Sequence, residues 1–386
     1  MATFTGQLNT NLIFASMYNM IISQEIFADN IEGEDLVDEA RVEGTLFGDQ
    51  KLYYSTDALY SSDWLNDAEA TNLLKLHRPD APEVQAIVLN VYRQICVTVD
   101  NYLSKQMWLD EGAFSSFNSI MLGWLSVTKK IYDGTIYNVY MGTARSTATV
   151  NTIEVDLTAD GNSAGENLGL AIADLFSALN DYSRDYNDYG HIRRYSKDRI
   201  KVLWNSKYLN TVKKIDLPSI FHNEALEKSF VGKDMVPKYW GTVITASNIS
   251  DYSASSPTTG KPIDSDDGAY TPGSNHANGC IRAVVEKTVK ISDTVYHVFP
   301  GEEIPAGATI VASTGDFLPG EVYIEQSDII GRVYIKLPPY MSGFSVGTSF
   351  FNPKSLTETQ FLTFAHNTIE YLKNYPFILL KVKPSA

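Results

Sequence analysis

The chain has 386 residues and a mass of 42.9 kDa, with 31 Lys and Arg against 46 Asp and Glu, a formal charge of −15 and a pI near 4.8. With 44% hydrophobic and 20% charged residues it is too apolar for a disordered chain, and it is longer than one hydrophobic core usually organises, so at least two sub-domains are expected. The acid excess argues against a dedicated duplex-DNA binder, while two cysteines, Cys96 and Cys280, exclude a disulfide scaffold and a thiolate-rich zinc cluster and fit a reducing, intracellular origin.

Tyrosine is abundant, 23 against 17 Phe and 5 Trp, and its large contact area with a polar tip suits interfaces. The first stretch, Phe4 to Ile26, is apolar in patches but lacks the basic start of a signal peptide, since the first basic residue is Arg41. Asn9, Asn11, Asn19, Ser23 and Gln24 interrupt it, so it is too polar to span a membrane. It reads as a buried helix, or as an arm docking on another subunit. Residues 42–56 read as a hairpin around Gly48-Asp49, which suits a two-residue primed turn, and the acidic and Ser-rich flanks make it a projecting loop.

Residues 80–108 read as a long helix. Asp80 and Glu83 have capping-box spacing, Pro82 suits the first turn, and Val84, Ile87, Val88, Val91, Ile95, Val99 and Tyr102 follow helical spacing. About 25 residues would give a rod of roughly 38 Å, with Cys96 as a small buried hydrophobe on its apolar side. A second helix runs from Glu111 to Ile131 and ends at Gly134; Ile136–Met141 and Ile153–Leu157 alternate like strands, and Gly165–Asp181 is a third helix.

Residues 191–214 invert the local charge: eight Lys and Arg face one acid, Asp198, a net of 8 − 1 = +7. The segment is either a solvated face or a surface that meets nucleic acid or an acidic neighbour. Within it, Ile200–Trp204 is strand-like. Residues 247–279 form a long polar loop, and 281–337 read as a small β module of short strands and tight turns. Thr357 and Gln360 then open a capped helix with Phe361, Phe364, Ala365, Ile369 and Leu372 on its apolar face; Pro376 stops it, and Phe377–Val382 is a final strand.

Catalytic motifs are scarce. There is no phosphate-binding loop, dinucleotide fingerprint or paired Cys-x-x-Cys, and the six histidines have no metal-ligand spacing, so no cofactor or metal is expected. Gly343-Phe344-Ser345-Val346-Gly347 fits the nucleophile-elbow pattern, but Pro338-Pro339 and Pro353 leave little room for the helix that the elbow needs. A serine hydrolase using Ser345 is therefore the enzymatic alternative to a protein with no catalytic site. Asp264-Ser265-Asp266-Asp267-Gly268 departs from a calcium loop, with Gly fifth rather than sixth and Asn275 at the twelfth position, and reads as an acidic turn.

The order of elements resembles the major capsid protein of tailed bacteriophages, an α+β chain of the Hong Kong 97-type fold, with closest similarity to short-tailed and crAss-like phages. Asn11–Phe14 through Phe27–Asn30 looks like the N-terminal arm, Val42–Tyr54 like the extended loop, Asp80–Trp108 like the spine helix, and Asp198–Trp204 through Phe221–Asn223 like the axial domain. The resemblance implies an arm at 1–40, an extended-loop region at 41–79, a peripheral domain with the spine helix at 80–134, an axial domain at 135–246, a β-rich insertion at 247–337 and a return to the core at 338–386. It implies a structural protein, not an enzyme, that self-assembles through hexamers and pentamers into an icosahedral shell around double-stranded DNA, held by weak nonspecific contact. Portal, scaffolding and other head proteins are the implied partners, with no membrane; no charged helical segment precedes the arm, so a separate scaffolding protein is expected. The location is the virion, after assembly in the bacterial cytoplasm. Assembly contacts are expected at Phe14, Met17, Phe27, Gly48, Lys51, Tyr53 and Tyr54, with Arg193, Arg194, Lys197 and Arg199 facing the genome or a neighbour. An encapsulin-like nanocompartment shell is the alternative within the same fold.

Overall fold

The structure, a computed structural model, describes residues 35–44, 50–61, 76, 78–100, 111–144, 151–158, 164–215, 233–244, 281–283, 287–291, 294–299, 302, 309–310, 322–355 and 357–384. In chain order they form α1 (Asp35–Ala40), β1 (Arg41–Glu43), β2 (Gln50–Ser55), β3 (Glu83–Asp100), α2 (Glu111–Gly142), β4 (Thr143–Ala144), β5 (Thr152–Val155), α3 (Ala164–Leu179), β6 (Lys201–Asn205) and α4 (Ser206–Ile215). There follow β7 (Lys233–Met235), β8 (Gly241–Ile244), β9 (Ile281–Ala283), β10 (Lys287–Ile291), β11 (Thr294–Val298), β12 (Thr309–Ile310), β13 (Val322–Glu325), β14 (Ile329–Tyr334), β15 (Tyr340–Asn352), β16 (Thr357–Asn367) and β17 (Phe377–Val382).

The strands make four sheets, ordered β1-β15-β16-β3-β2, β11-β10-β12, β4-β8-β13-β9 and β5-β17-β14-β6-β7. The chain divides into two compact units. One comprises residues 1–50, 88–137 and 340–368; the other comprises 51–87, 138–339 and 369–386.

Five sequence expectations change. The segment expected as a long helix at 80–108 is the 18-residue strand β3. Eight of those residues, Val84, Ile87, Val88, Val91, Ile95, Val97, Thr98 and Val99, are β-branched and favour an extended chain. Its apolar positions satisfy both periods, but the burial alternates by two: Gln85, Ile87 and Leu89 are buried and Val84, Ala86, Val88 and Asn90 are exposed. Cys96 falls on the exposed set, not in a core. Residues 357–367 are likewise strand β16, with Thr357 opposite Asp100 and Gln360 opposite Val97, so the apparent capping box serves a ladder.

The long helix of the fold is α2, whose 32 residues give a rod of about 48 Å. Gly134 does not end it, and Ile136–Met141 is its last turn and a half, not a strand. It ends at Gly142, where a Cβ would lie 1.9 Å from the Tyr239 carbonyl oxygen, so only glycine allows that approach. Finally, the expected hairpin at 42–56 is not a hairpin between its own halves. β1 pairs in parallel with β15, from Arg41 opposite Tyr340 to Glu43 opposite Ser342, and β2 lies at the other edge of the sheet beside β3. The strand-rich 281–337 stretch also disperses: β9 and β13 join β8, β10 to β12 make their own sheet, and β14 enters the sheet with β17 and β6.

In the second unit, β14 is buried along its whole length between β17 and β6. Helix α3 covers this sheet with Leu168, Ile172, Leu175 and Leu179, which meet Trp204, Val333 and Ile378 in one apolar core. The spacing of those helix residues is the amphipathic stripe visible in the sequence.

Candidate assembly site

In the first unit, α2 packs on one face of the β15-β16-β3 sheet through a polar and aromatic cluster. The Asp133 carboxylate accepts hydrogen bonds from the Lys129 ammonium and the Tyr340 hydroxyl, each at 2.6 Å. Lys129 also lies 5.2 Å over the Phe364 ring. His366 Nδ1 donates to the Asn367 carbonyl at 2.9 Å, and in the neutral ring Nε2 accepts from the Tyr132 hydroxyl at 3.0 Å. Burial lowers the His366 pKa, against opposing help from the Asn367 carbonyl and Asp133. Burial, then Asp133, raises the Tyr340 phenol far above its ordinary value.

Among the described residues, the opposite face of that sheet is exposed along β15 and β3 and half-buried along β16. Val346, Thr363 and Gln94 lie in one cross-strand row, Thr348, Phe361 and Cys96 in the next, and Phe350, Thr359 and Thr98 in a third. Phe350 is 62% exposed and Val346 47%. Gln94 donates to Thr363 and Thr98 bonds Thr359, each at 3.0 Å, so the face is a mixed apolar and hydroxyl surface of the kind that interfaces use.

Ser345 lies within β15, opposite Phe364, next to a register shift between Ser342 and Ser345. A strand runs through the motif where a nucleophile elbow needs a turn into a helix. The first motif glycine has a packing reason: a Cβ on Gly343 would lie 2.6 Å from the Leu89 side chain.

In the second unit, the end of β2 is gripped by a loop. Asp57 accepts from the Ile192 amide at 2.9 Å and from Arg184 Nη1 at 2.6 Å. These contacts, the Ile192 amide first, hold the Asp57 carboxyl well below the usual carboxylate range. Arg193 Nη2 donates to the Thr56 carbonyl at 2.6 Å and to Ser55 Oγ at 3.1 Å. Ser55 Oγ gives its one proton to Asn374 Oδ1 at 2.8 Å, so the 2.7 Å contact with His191 Nδ1 is donated by the histidine. Tyr195, its phenol pushed up to about 12 by burial, donates to the Asn374 carbonyl at 3.0 Å.

The sequence-marked residues fall in several places. Phe14, Met17, Phe27 and Gly48 lie outside the described residues, as do the Asp264–Gly268 turn and Cys280. On β2, Lys51 and Tyr53 are half-buried, with the Lys336 ammonium 5.4 Å from the centre of the Tyr53 ring, and Tyr54 is 63% exposed. Arg193 is engaged within the subunit, and Arg194 donates to the Asn180 carbonyl at 2.8 Å beside the Tyr182 ring. Lys197 and Arg199 are exposed on a short 3-10 turn. The structure thus joins two separately marked regions, since Arg193 of the basic segment holds the end of β2. Asp57, Arg184, His191 and Asn374 carry no periodic or motif signal, and only tertiary contact finds them. Among the described residues no group of three His, Cys, Asp or Glu could hold a metal, and no helix is long and apolar enough to cross a membrane.

No protein-family model matches the chain, and no curated protein matches it by sequence. Solved structures do match. The capsid structure of Staphylococcus phage Andhra contains a chain similar at a TM-score of 0.57 and 12% identity, over 93% of this chain and 86% of that one. A structure of the head fibre and inner core protein gp22 of native bacteriophage P68 contains a chain similar at 0.50 and 11% identity, over 87% and 83%. The fold is the α+β Hong Kong 97-type fold of tailed-phage capsid proteins.

Proposed function

We propose that this chain is the major capsid protein of a tailed bacteriophage, a structural subunit that assembles into an icosahedral shell around the phage genome. The observation that carries this reading is the likeness to the Andhra capsid chain across 93% of the sequence. The exposed sheet face and the exposed side chains of β2 are what a multi-neighbour subunit needs. A standard interface buries roughly 1,600 Å², and a shell subunit with interlocking segments exceeds it. Assembly contacts fall on Tyr54 and on the arm and loop residues Phe14, Met17, Phe27, Gly48, Lys51 and Tyr53. Lys197 and Arg199 are two exposed cations of the basic segment that face packaged DNA or an acidic neighbour. Scaffolding, portal and other head proteins are its partners, and it acts in the virion after assembly in the bacterial cytoplasm.

It works by geometry, without a catalytic step. The test is to express the chain alone and with its genomic neighbours and to examine the products by negative-stain electron microscopy. Closed shells or ring-shaped capsomers are the expected result. A monodisperse monomer under both conditions overturns the reading.

A further inference from the structure

We infer that the loop from Ser183 to Arg193 is a clamp that fixes the end of β2, and that Asp57 and Arg184 are positioning residues for shell closure. This rests on the capsid reading above and names the part of the subunit that governs it.

The loop is built before it grips anything. Ser183 and Arg193 exchange two backbone hydrogen bonds at 3.0 Å, closing its neck. Asn187 bonds both the amide and the carbonyl of His191, at 2.9 and 2.7 Å, and Gly190 takes the left-handed conformation, φ 64°, that the tip requires. The closed loop then directs the Ile192 amide, His191 Nδ1 and the guanidinium groups of Arg184 and Arg193 at three consecutive residues, Ser55, Thr56 and Asp57. Its other side holds the 371–375 segment: the Asp188 amide donates to the Lys373 carbonyl at 2.9 Å, and Tyr371 donates to the Asp188 carboxylate. Gln85 in β3 closes the set by bonding the Tyr371 carbonyl and the Lys373 amide, each at 3.0 Å.

A strand end needs no such array to stop. Beyond it the chain is loose in contact: Ala58, Leu59, Tyr60 and Ser61 are all exposed. The grip therefore fixes one point, the end of β2 within the second unit. The Arg184 and Asp57 side chains are 41% and 21% exposed and lie outside the apolar core, so truncating them leaves that core intact. A preformed loop holding a segment that must meet a partner lowers the ordering cost of that meeting.

The test uses the full chain with its head-assembly neighbours and compares wild type, Asp57→Ala, Arg184→Met, the double variant and Asp57→Asn, with Asp174→Ala on the exposed side of α3 as control. Hydrogen exchange is read at amides 52–57 on the free subunit, and particles are counted by electron microscopy. The expected result is exchange faster by at least about tenfold in Asp57→Ala and the double variant, with open or irregular particles replacing closed shells and an unchanged melting temperature. Asp57→Asn, which keeps the acceptor for Ile192, lies between these and wild type. Wild-type exchange rates in the double variant overturn the clamp, and fast exchange with normal shells overturns its role in closure. A wild-type chain that forms no shells overturns the capsid reading and the closure role with it, while the exchange result separately decides whether the clamp exists.

Discussion

The two units bury different kinds of interior. The second sets an apolar sheet under α3, with β14 and most of β17 sealed from solvent. The first sets Lys129, Tyr132, Asp133, Tyr340 and His366 between helix and sheet and leaves the sheet's other face exposed along β15 and β3. An apolar interior loses contact energy smoothly as it is trimmed, whereas a hydrogen-bonded interior fails when one partner goes. Thermodynamic stability should therefore concentrate in the second unit and sensitivity to single polar changes in the first.

The largest test lies at an exception within the second unit. Arg332 is fully buried in β14; it donates to the Met141 carbonyl at 2.7 Å and to the Thr143 carbonyl, and its guanidinium lies 4.1 Å from the centre of the Phe377 ring. It caps the carbonyl end of α2, which has no basic residue in its last turn. Arg332→Met should cost about 4 kcal/mol, because two buried charge-assisted bonds are lost. Arg332→Lys should recover only part of this, since an ammonium lacks the fork. Urea midpoints measure both, and a loss under about 1 kcal/mol would remove Arg332 from the fold's supports.

Ile378→Ala, in the apolar interior beside Val333, should cost about 3 kcal/mol through lost transfer energy and a residual cavity. In the first unit, Tyr340→Phe removes one hydroxyl and leaves Asp133 short of a donor, at about 2 kcal/mol. A loss as small as that of an exposed Tyr→Phe change would show that the polar cluster is not coupled.

His366 supplies a pH-dependent difference. Its folded pKa lies below the ordinary value of 6.5, so the unfolded chain binds the proton more readily. Its stabilising effect is full above 6.5 and is lost as pH falls from there through the folded pKa. The groups facing it are Asp133, which favours the proton, and Arg93 and Lys129, which oppose it. His366→Gln should flatten the stability profile below pH 6.5, and an unchanged slope would assign the acid sensitivity elsewhere. The smallest effect is expected at Phe350→Ser on the exposed face, within about 0.5 kcal/mol for the free subunit. Shell yield should fall in that same variant if this face meets a neighbour.

Period and propensity decided what was legible. Helix α3, strand β6 and strand β17 could be read directly because each has one unambiguous apolar pattern and clear stops. The resemblance to phage capsid folds holds although the residues that carry its spine helix, 80–108, are strand β3 over Glu83–Asp100. β3 could not be read so, because Val84, Val88 and Tyr92 are apolar on its exposed side. A strand apolar on both faces mimics a helical stripe when read one residue at a time. Gly134 misled in a similar way: its local cost of roughly 1 kcal/mol in a helix is small beside the packing of its buried neighbours Tyr132, Asp133 and Thr135.

By itself, then, the sequence determined the local states whose cause is local: amphipathic spacing, proline stops, the charge inversion at 191–214 and the absence of a competent elbow around Ser345. Tertiary structure alone decided which strands pair, that β1 and β2 part to opposite edges of one sheet, and that Asp57 meets Arg184 across 127 positions. Those choices are made by long-range hydrogen bonds and by burial, and no stretch of a few residues contains either partner's position.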